Sequence, residues 1–406
     1  MKILDLIRRI LEATKQEDLL RKSAETVVPD TPEEKEEPVS AEIPVPKTGS
    51  LHFPQEMLAI TCIGESHIKQ GTVCQDSSLC YQAENYRMIV VSDGHGSASF
   101  PRSDRGSRLA CSVTRDICAE FAAKQIPQDK EQTAREICEE ILRRWTEAVL
   151  ADYREDPFDE ACLEQVPEKY REHYRAGNRV EHAYGATLIA VLETPAGILA
   201  LRCGDGECVQ IDQQGVLSRP VAWNEKCDVN VTTSLCDKDA INEFRWTWLE
   251  GTPAAIWIST DGLDNSYTVA AELDEFYANL SLLAVEEECG RVRQELEKFL
   301  PVLTQRCSQD DISVAALLDT TRLVLAQDRL RAYVQLQRSL REREKLQRRI
   351  RKLEQVLRDK KRKAGNEEIS WEDTEEAKEQ RTLSVQLGEL EEKIRQLRLA
   401  TGELPQ

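Results

Sequence analysis

A chain of 406 residues, 40% hydrophobic and 31% charged, has the material for a sizeable core and for more than one structural unit. No apolar run reaches the roughly 18–20 residues of a membrane helix, and the charges in Met1–Ile10 interrupt any secretory signal core. Thirteen cysteines without a Cys-x-x-Cys pair argue against a zinc site or a disulfide framework and for reduced thiols in a cytoplasmic protein, and the net charge of −19 conceals a basic segment near the C-terminus.

In chain order, residues 1–22 read as a short amphipathic helix, with Ile3, Leu6, Ile7, Ile10 and Leu11 at helical spacing. Residues 23–53 carry Pro29, Pro32, Pro38, Pro44, Pro46 and the acidic run Glu33–Glu37. Too little apolar surface is present there to offset the entropy of ordering, so the segment is expected to be a disordered linker.

Residues 54–320 read as one domain of short β-runs and longer helices. Strands are expected at Leu58–Ile63, Met88–Ser92, Ala186–Leu192, Ile198–Cys203, Cys208–Ile211, Ala255–Ser259 and Ile312–Leu318. Helices are expected at Arg105–Ala123, Lys130–Tyr153 and, with a break, Leu273–Leu300. Strands in succession joined by turns such as Glu193–Gly197 favour hairpins over βαβ units, and two antiparallel sheets covered by helices is one architecture that fits.

Residues 321–400 read as two helical arms, with 401–406 as a tail. Leu346, Ile350, Leu353 and Leu357 step by 4, 3 and 4; Leu383, Leu387, Leu390, Ile394 and Leu397 continue the heptad spacing after a break at Ala364-Gly365-Asn366. Ser370 with Asp373 three residues on reads as the N-cap of the second arm. Residues 322–363 hold 16 Lys or Arg against 5 Asp or Glu, whereas residues 366–399 hold 10 acids against 5 basic residues. An antiparallel hairpin whose arms neutralise each other is therefore favoured over nucleic-acid binding, for which no interleaved aromatics speak.

The chemistry gathers at strand ends. Val90-Val91-Ser92-Asp93-Gly94-His95-Gly96 is an apolar run that stops on an acid, and Ile256-Trp257-Ile258-Ser259-Thr260-Asp261-Gly262 repeats the design. A single Asp-Gly is ordinarily a turn. Two of them, with Gln75-Asp76 after an expected strand and turn and Asp310-Asp311 opening a strand, put four acidic sites at strand termini. Carboxylates brought together repel unless a cation sits among them, and an all-oxygen set suits Mg²⁺ or Mn²⁺.

These motifs resemble the metal-dependent protein phosphatases of the protein phosphatase 2C type. Ser92-Asp93-Gly94-His95-Gly96, Tyr184-Gly185-Ala186-Thr187-Leu188, Cys203-Gly204-Asp205-Gly206, Ser259-Thr260-Asp261-Gly262-Leu263 and Asp310-Asp311-Ile312-Ser313 follow one another as the family's motifs do. The resemblance spans roughly residues 57–320. It implies an α+β fold, a sandwich of two antiparallel sheets flanked by helices, to which the C-terminal hairpin is appended. It implies two divalent ions, Mn²⁺ or Mg²⁺, bridged by Asp93, with the Gly94 carbonyl on one, Asp261 and Asp310 on the other, and Asp76 holding metal-bound water. A hydroxide between the ions would attack a phosphoserine or phosphothreonine, and His95 would protonate the leaving oxygen. The Asp205 turn is given a structural role.

The chain departs from the family pattern in three places. The segment before Asp76 has no arginine to grip phosphate, which leaves His67 or Lys69. Tyr184 stands where an acid is common, and Asn265 replaces a second acid after Asp261. The expected activity is a serine/threonine protein phosphatase acting on phosphorylated proteins, with the hairpin binding a partner or a second copy and no membrane association. The alternative is a catalytically weak or inactive phosphatase-like domain that senses phosphoproteins. Trp223, Trp246 and Trp248, in the segment 221–250, are expected to serve core packing ahead of substrate contact.

Overall fold

The protein is described by a computed structural model over residues 55–123, 129–227, 231–287, 289–364 and 370–403. The expected N-terminal helix, the acidic linker and the last three residues of the tail lie outside the described residues.

Among the described residues ten strands form two five-stranded sheets. The first has the order β1 (Gln55–Cys62), β10 (Ile312–Asp319), β9 (Ala255–Ser259), β6 (Glu207–Ile211) and β7 (Leu217–Ser218). The second has the order β2 (Ser77–Gln82), β3 (Arg87–Ser92), β4 (Leu188–Thr194), β5 (Gly197–Cys203) and β8 (Arg245–Leu249). The pairing is antiparallel, with Val90 opposite Ala190 and Val314 opposite Ser259. The α+β sandwich expected from the sequence is the fold.

β3 shows why both faces of a central strand read as one apolar run. Side chains alternate across a strand, and here both sides are covered. Ile89 and Val91 join Ile189, Val191, Ile256, Ile258, Ala315 and Leu317 between the sheets. Met88 and Val90 turn the other way, into a core with Ile117, Ile137, Ile141 and Trp145 from the helical layer. The edge strands β2 and β7 carry no such run. β2 (Ser-Ser-Leu-Cys-Tyr-Gln) is only half buried at best, and β7 is two residues long, so neither is legible as a strand. β8 lies within the segment 221–250. Trp246 and Trp248 lie on it and pack against the helical-layer core, their indole N–H groups donating to Glu131 Oε1 at 2.9 Å and the Lys130 carbonyl at 2.8 Å. Trp223 is different: it is 47% exposed, with the Arg202 guanidinium 4.8 Å from its ring centroid.

The helices are α1 (Glu65–Gln70), α2 (Ser103–Ala122), α3 (Lys130–Glu155), α4 (Glu160–Gln165), α5 (Glu168–Arg175), α6 (Val180–Ala183), α7 (Ala240–Glu243), α8 (Asp261–Asp264), α9 (Ala270–Glu286) and α10 (Cys289–Arg306). The expected break between 273 and 300 separates α9 from α10. α2 comes so close to the chain at Tyr184 that a Cβ on Gly106 would stand 1.8 Å from the Tyr184 carbonyl oxygen. Gly106→Ala is therefore expected to destabilise the fold by about 2 kcal/mol or more, read as a lower urea midpoint. An unchanged midpoint would refute the close approach.

α11 (Thr320–Ala364) and α12 (Glu375–Thr401) form the C-terminal hairpin. Leu390 and Ile394 pack against Leu336, with Leu340, Leu346 and Leu397 beside them, so low numbers on one arm meet high numbers on the other. The second arm begins later than expected. Ser370 precedes a single 3₁₀ turn, Trp371–Asp373, and it is Thr374 that caps α12, its hydroxyl accepting from Ala377 N at 3.3 Å. The basic surplus also divides differently. Arg349 pairs with Glu379 and Lys360 with Glu376 across the hairpin, but Arg338 and Arg341 both bind Glu275 of α9 and Arg331 binds Glu286. Part of the charge read as complementing the second arm thus anchors the hairpin to the body. Among the described residues no helix is long and apolar enough to cross a membrane.

Candidate metal and phosphate centre

Asp93 leaves the end of β3 on a turn that only glycine can complete. A Cβ on Gly94 would lie 2.6 Å from both the Gln75 and Ser103 carbonyl oxygens. Thr187 locks the turn from the start of β4: its hydroxyl accepts from Asp93 N at 3.0 Å and its N–H donates to the Asp93 carbonyl at 2.8 Å. Asp261 opens α8 where β9 stops, and the Asn265 amide donates to Asp261 Oδ2 at 3.0 Å. The residue standing where a second acid was expected thus orients the first. Asp205 sits in the β5–β6 turn between Gly204, whose φ is +121°, and Gly206, whose Cβ would strike the Ser259 carbonyl at 2.3 Å.

These three turns converge. Asp93, Asp205 and Asp261 each place a carboxylate oxygen within 4.8 Å of the other two. Asp205, assigned a supporting role from the sequence, is one of the trio, while Asp76 and Asp310 stand around it. Burial raises all five carboxyls above the ordinary range. For Asp93 the next causes are the Asp261 and Asp76 charges, and Asp261 is pushed up to about 6 by burial and then by Asp205. Asp205 and Asp310 are raised by burial first, as is Asp76, whose Oδ2 accepts from Thr260 Oγ1 at 2.7 Å. Desolvated carboxylates this close are mutually unfavourable as anions and complementary to a divalent cation, so the donor set fits Mg²⁺ or Mn²⁺. Asp76 stands immediately before β2, after the expected strand β1 and with α1 between them.

Asp311, next to Asp310, does different work. Its Oδ1 accepts from Gly64 N and lies 2.9 Å from His67 Nδ1, and its Oδ2 accepts from Gln75 N at 2.6 Å. The adjacent carboxylates part because neighbouring side chains diverge along an extended chain. The one thus ties together the loops that frame the site. His67 is engaged in that tie, and Lys69 is 60% exposed with Glu65 at 3.6 Å. Tyr184 turns away into the helical layer, where its hydroxyl donates to Asp152 Oδ2 at 2.6 Å and accepts from Arg102 Nη1 at 2.8 Å.

The His95 ring is held on several sides. Its Nε2 lies 2.8 Å from Ser234 Oγ, Phe100 meets it edge-on at 4.7 Å, and a Cβ on Gly185 would come within 2.7 Å of its Cδ2. Burial, and then the neighbouring His182, push its pKa down to about 4, so the free site favours the neutral imidazole. Ser234 belongs to a run of hydroxyl residues, Thr232-Thr233-Ser234, that carries no sequence signal of its own.

A family model described as protein phosphatase 2C matches residues 63–301, which includes Asp76, Asp93, Asp205 and Asp261 and stops short of Asp310. No curated protein matches the chain. Solved structures that resemble it include a bacterial serine phosphatase, 14% identical over 66% of this chain and 98% of that one, with a TM-score of 0.43. PppA, described as a key regulatory component of T6SS in Pseudomonas aeruginosa, is 18% identical over 65% of this chain and 97% of its own, with a TM-score of 0.42. The Mycobacterium tuberculosis serine/threonine phosphatase PstP/Ppp is 13% identical over 65% and 99%, with a TM-score of 0.40.

Proposed function

The chain belongs to the protein phosphatase 2C family, and from that premise we propose that it is a metal-dependent phosphatase hydrolysing phosphoserine and phosphothreonine in proteins. The observation that carries the reading is the convergence of Asp93, Asp205 and Asp261 from three separate turns, with raised pKa values that a cation would relieve. In the proposal Asp93, Asp205, Asp261 and the Gly94 carbonyl hold divalent ions, and Asp310 and Asp76 complete the shell. Two such ions, Mn²⁺ or Mg²⁺, would neutralise the phosphoryl oxygens and make water a nucleophile near neutral pH. The chain's own part is to fix the carboxylates on short turns and to bring His95 beside the leaving oxygen. A neutral imidazole is a weak acid, so His95 would take up its proton as the phosphate dianion arrives and favours the charged form.

One observation favours a second reading, a phosphoprotein sensor that retains the fold with little turnover. The segment before Asp76 has no arginine, and the hydrogen-bonding and charge partners of His67 and Lys69 are Asp311 and Glu65. The two readings separate in one assay. The phosphatase is expected to release inorganic phosphate from a phosphothreonine peptide with Mn²⁺ present and to stop with EDTA. Peptide binding in Mn²⁺ with no phosphate released would refute turnover in favour of the sensor.

A further inference from the structure

The stretch Thr232–Ser234, between β7 and α7, touches two of the three turns that build the centre. The Thr232 hydroxyl, 3.3 Å from the Thr233 carbonyl, faces the Asp205 carboxyl and opposes the rise in pKa that burial causes. The Thr233 hydroxyl accepts from Gly204 N at 3.0 Å, at the other side of the same turn. Ser234 Oγ stands 2.8 Å from His95 Nε2 and 3.2 Å from the Ala186 carbonyl. Three consecutive hydroxyl side chains therefore reach the acid turn and the histidine of the Asp93 turn. Thr233 and Ser234 are buried at 3% exposure each. The strap is itself fixed: Leu235 N donates to the Ala186 carbonyl at 2.9 Å, and Ser234 N donates to Asp237 Oδ2 at 2.8 Å.

We propose that Ser234 is a positioning residue for proton transfer by His95, and that Thr232-Thr233-Ser234 is the strap that holds it there. In the charged imidazole that acts as the acid both ring nitrogens carry a proton, so Nε2–H donates to Ser234 Oγ, whose own proton goes to the Ala186 carbonyl. Nε2 is thereby occupied, and Nδ1 is the nitrogen left to carry the transferable proton. The inference rests on the phosphatase reading. In the reaction water adds to phosphorus and releases a proton to solvent. The ester P–O bond breaks with its electron pair on the side-chain oxygen, and the His95 Nδ1 proton goes to that oxygen. The products are inorganic phosphate and a free serine or threonine hydroxyl, and His95 regains its proton from solvent.

A residue that positions a general acid matters in proportion to the need of the leaving group for a proton. A threonine alkoxide needs one; a nitrophenolate leaves as the anion. Ser234→Ala is therefore expected to lower kcat on a phosphothreonine peptide by about 10–100-fold and on p-nitrophenyl phosphate by no more than about threefold, within the range general acids contribute. Ser234→Thr, which keeps the hydroxyl, is expected to recover most of the peptide activity. The ratio of the two rates is independent of the fraction of folded enzyme, so partial misfolding of either variant does not obscure it. Equal losses on both substrates, no loss on either, or a Thr variant as poor as the Ala variant would overturn the role of Ser234 alone. Wild-type protein inert toward both substrates with Mn²⁺ would overturn the phosphatase reading and the strap's role with it.

Discussion

Asp93→Asn is expected to abolish phosphatase turnover while leaving the metal-free protein more stable than the wild type. The two effects have one cause. Asp93 is a half-buried carboxylate, and desolvation and then the Asp261 and Asp76 charges raise its pKa well above the ordinary range. As an anion it opposes folding; as a neutral amide of the same shape it does not. The metal-free melting temperature should rise by roughly 2–4 °C for each kcal/mol of repulsion removed. With Mn²⁺ the order reverses. Saturating metal stabilises whichever protein binds it, by about 2.7 kcal/mol at a hundredfold excess over Kd, and the variant forfeits that gain. Turnover on a phosphothreonine peptide should fall by ~10³-fold or more, since the charge stabilisation supplied by a metal is worth several kcal/mol. A variant that melts lower than wild type without metal, or that keeps its activity with it, would refute Asp93 as a metal-holding group.

The second large effect is expected far from the centre. Glu275 is 1% exposed on α9 and binds two arginines of α11, with Arg338 Nε at 3.1 Å from its Oε1 and Arg341 on its Oε2. Removing one partner of a buried ion pair leaves the other charge uncompensated, at about 3–5 kcal/mol. Arg338 and Arg341 are 17% and 33% exposed, so water recovers part of that loss, and Glu275→Ala is expected to cost about 2–3 kcal/mol. The converse substitution Arg341→Ala leaves Arg338 in place on Glu275 and is expected to cost less. Urea unfolding of both variants checks the order. Equal midpoints for Glu275→Ala and wild type would show that hairpin and body are held by apolar packing alone. Because α9 follows directly on α8, which carries Asp261, the same clamp lies one helix away from the acidic trio.

The hairpin was legible in the sequence because a heptad stripe is a local pattern: Leu346, Ile350, Leu353 and Leu357 fall on one face whatever the partner. Its anchorage was not. Arg338 and Arg341 differ from Arg349 in nothing the sequence displays, yet the first two reach Glu275 and the third reaches Glu379. The cap of α12 moved from Ser370 to Thr374 for a related reason. Both are hydroxyl residues followed by an acid, and only the backbone path decides which amide its oxygen meets.

The centre divides along the same line. A strand that is buried on both faces must be apolar throughout, so the acid that ends it stands out, and Asp93 and Asp261 were named from that contrast alone. What residues 93, 205 and 261 have in common is a meeting point, and no local pattern encodes a meeting point between turns so far apart in the chain. Asp205 was set aside although glycines flank it, and it joined the trio because β5 and β6 lie in different sheets and their connecting turn crosses the end of the sandwich. Ser234 had no motif at all. Its hydroxyl matters only because the chain returns past Ala186 to within 2.8 Å of His95. The amino-acid sequence by itself determined which side chains could do chemistry and which strand ends would present them. The packing of two sheets decided which of those ends face each other, because distances across a sandwich are set by the whole core.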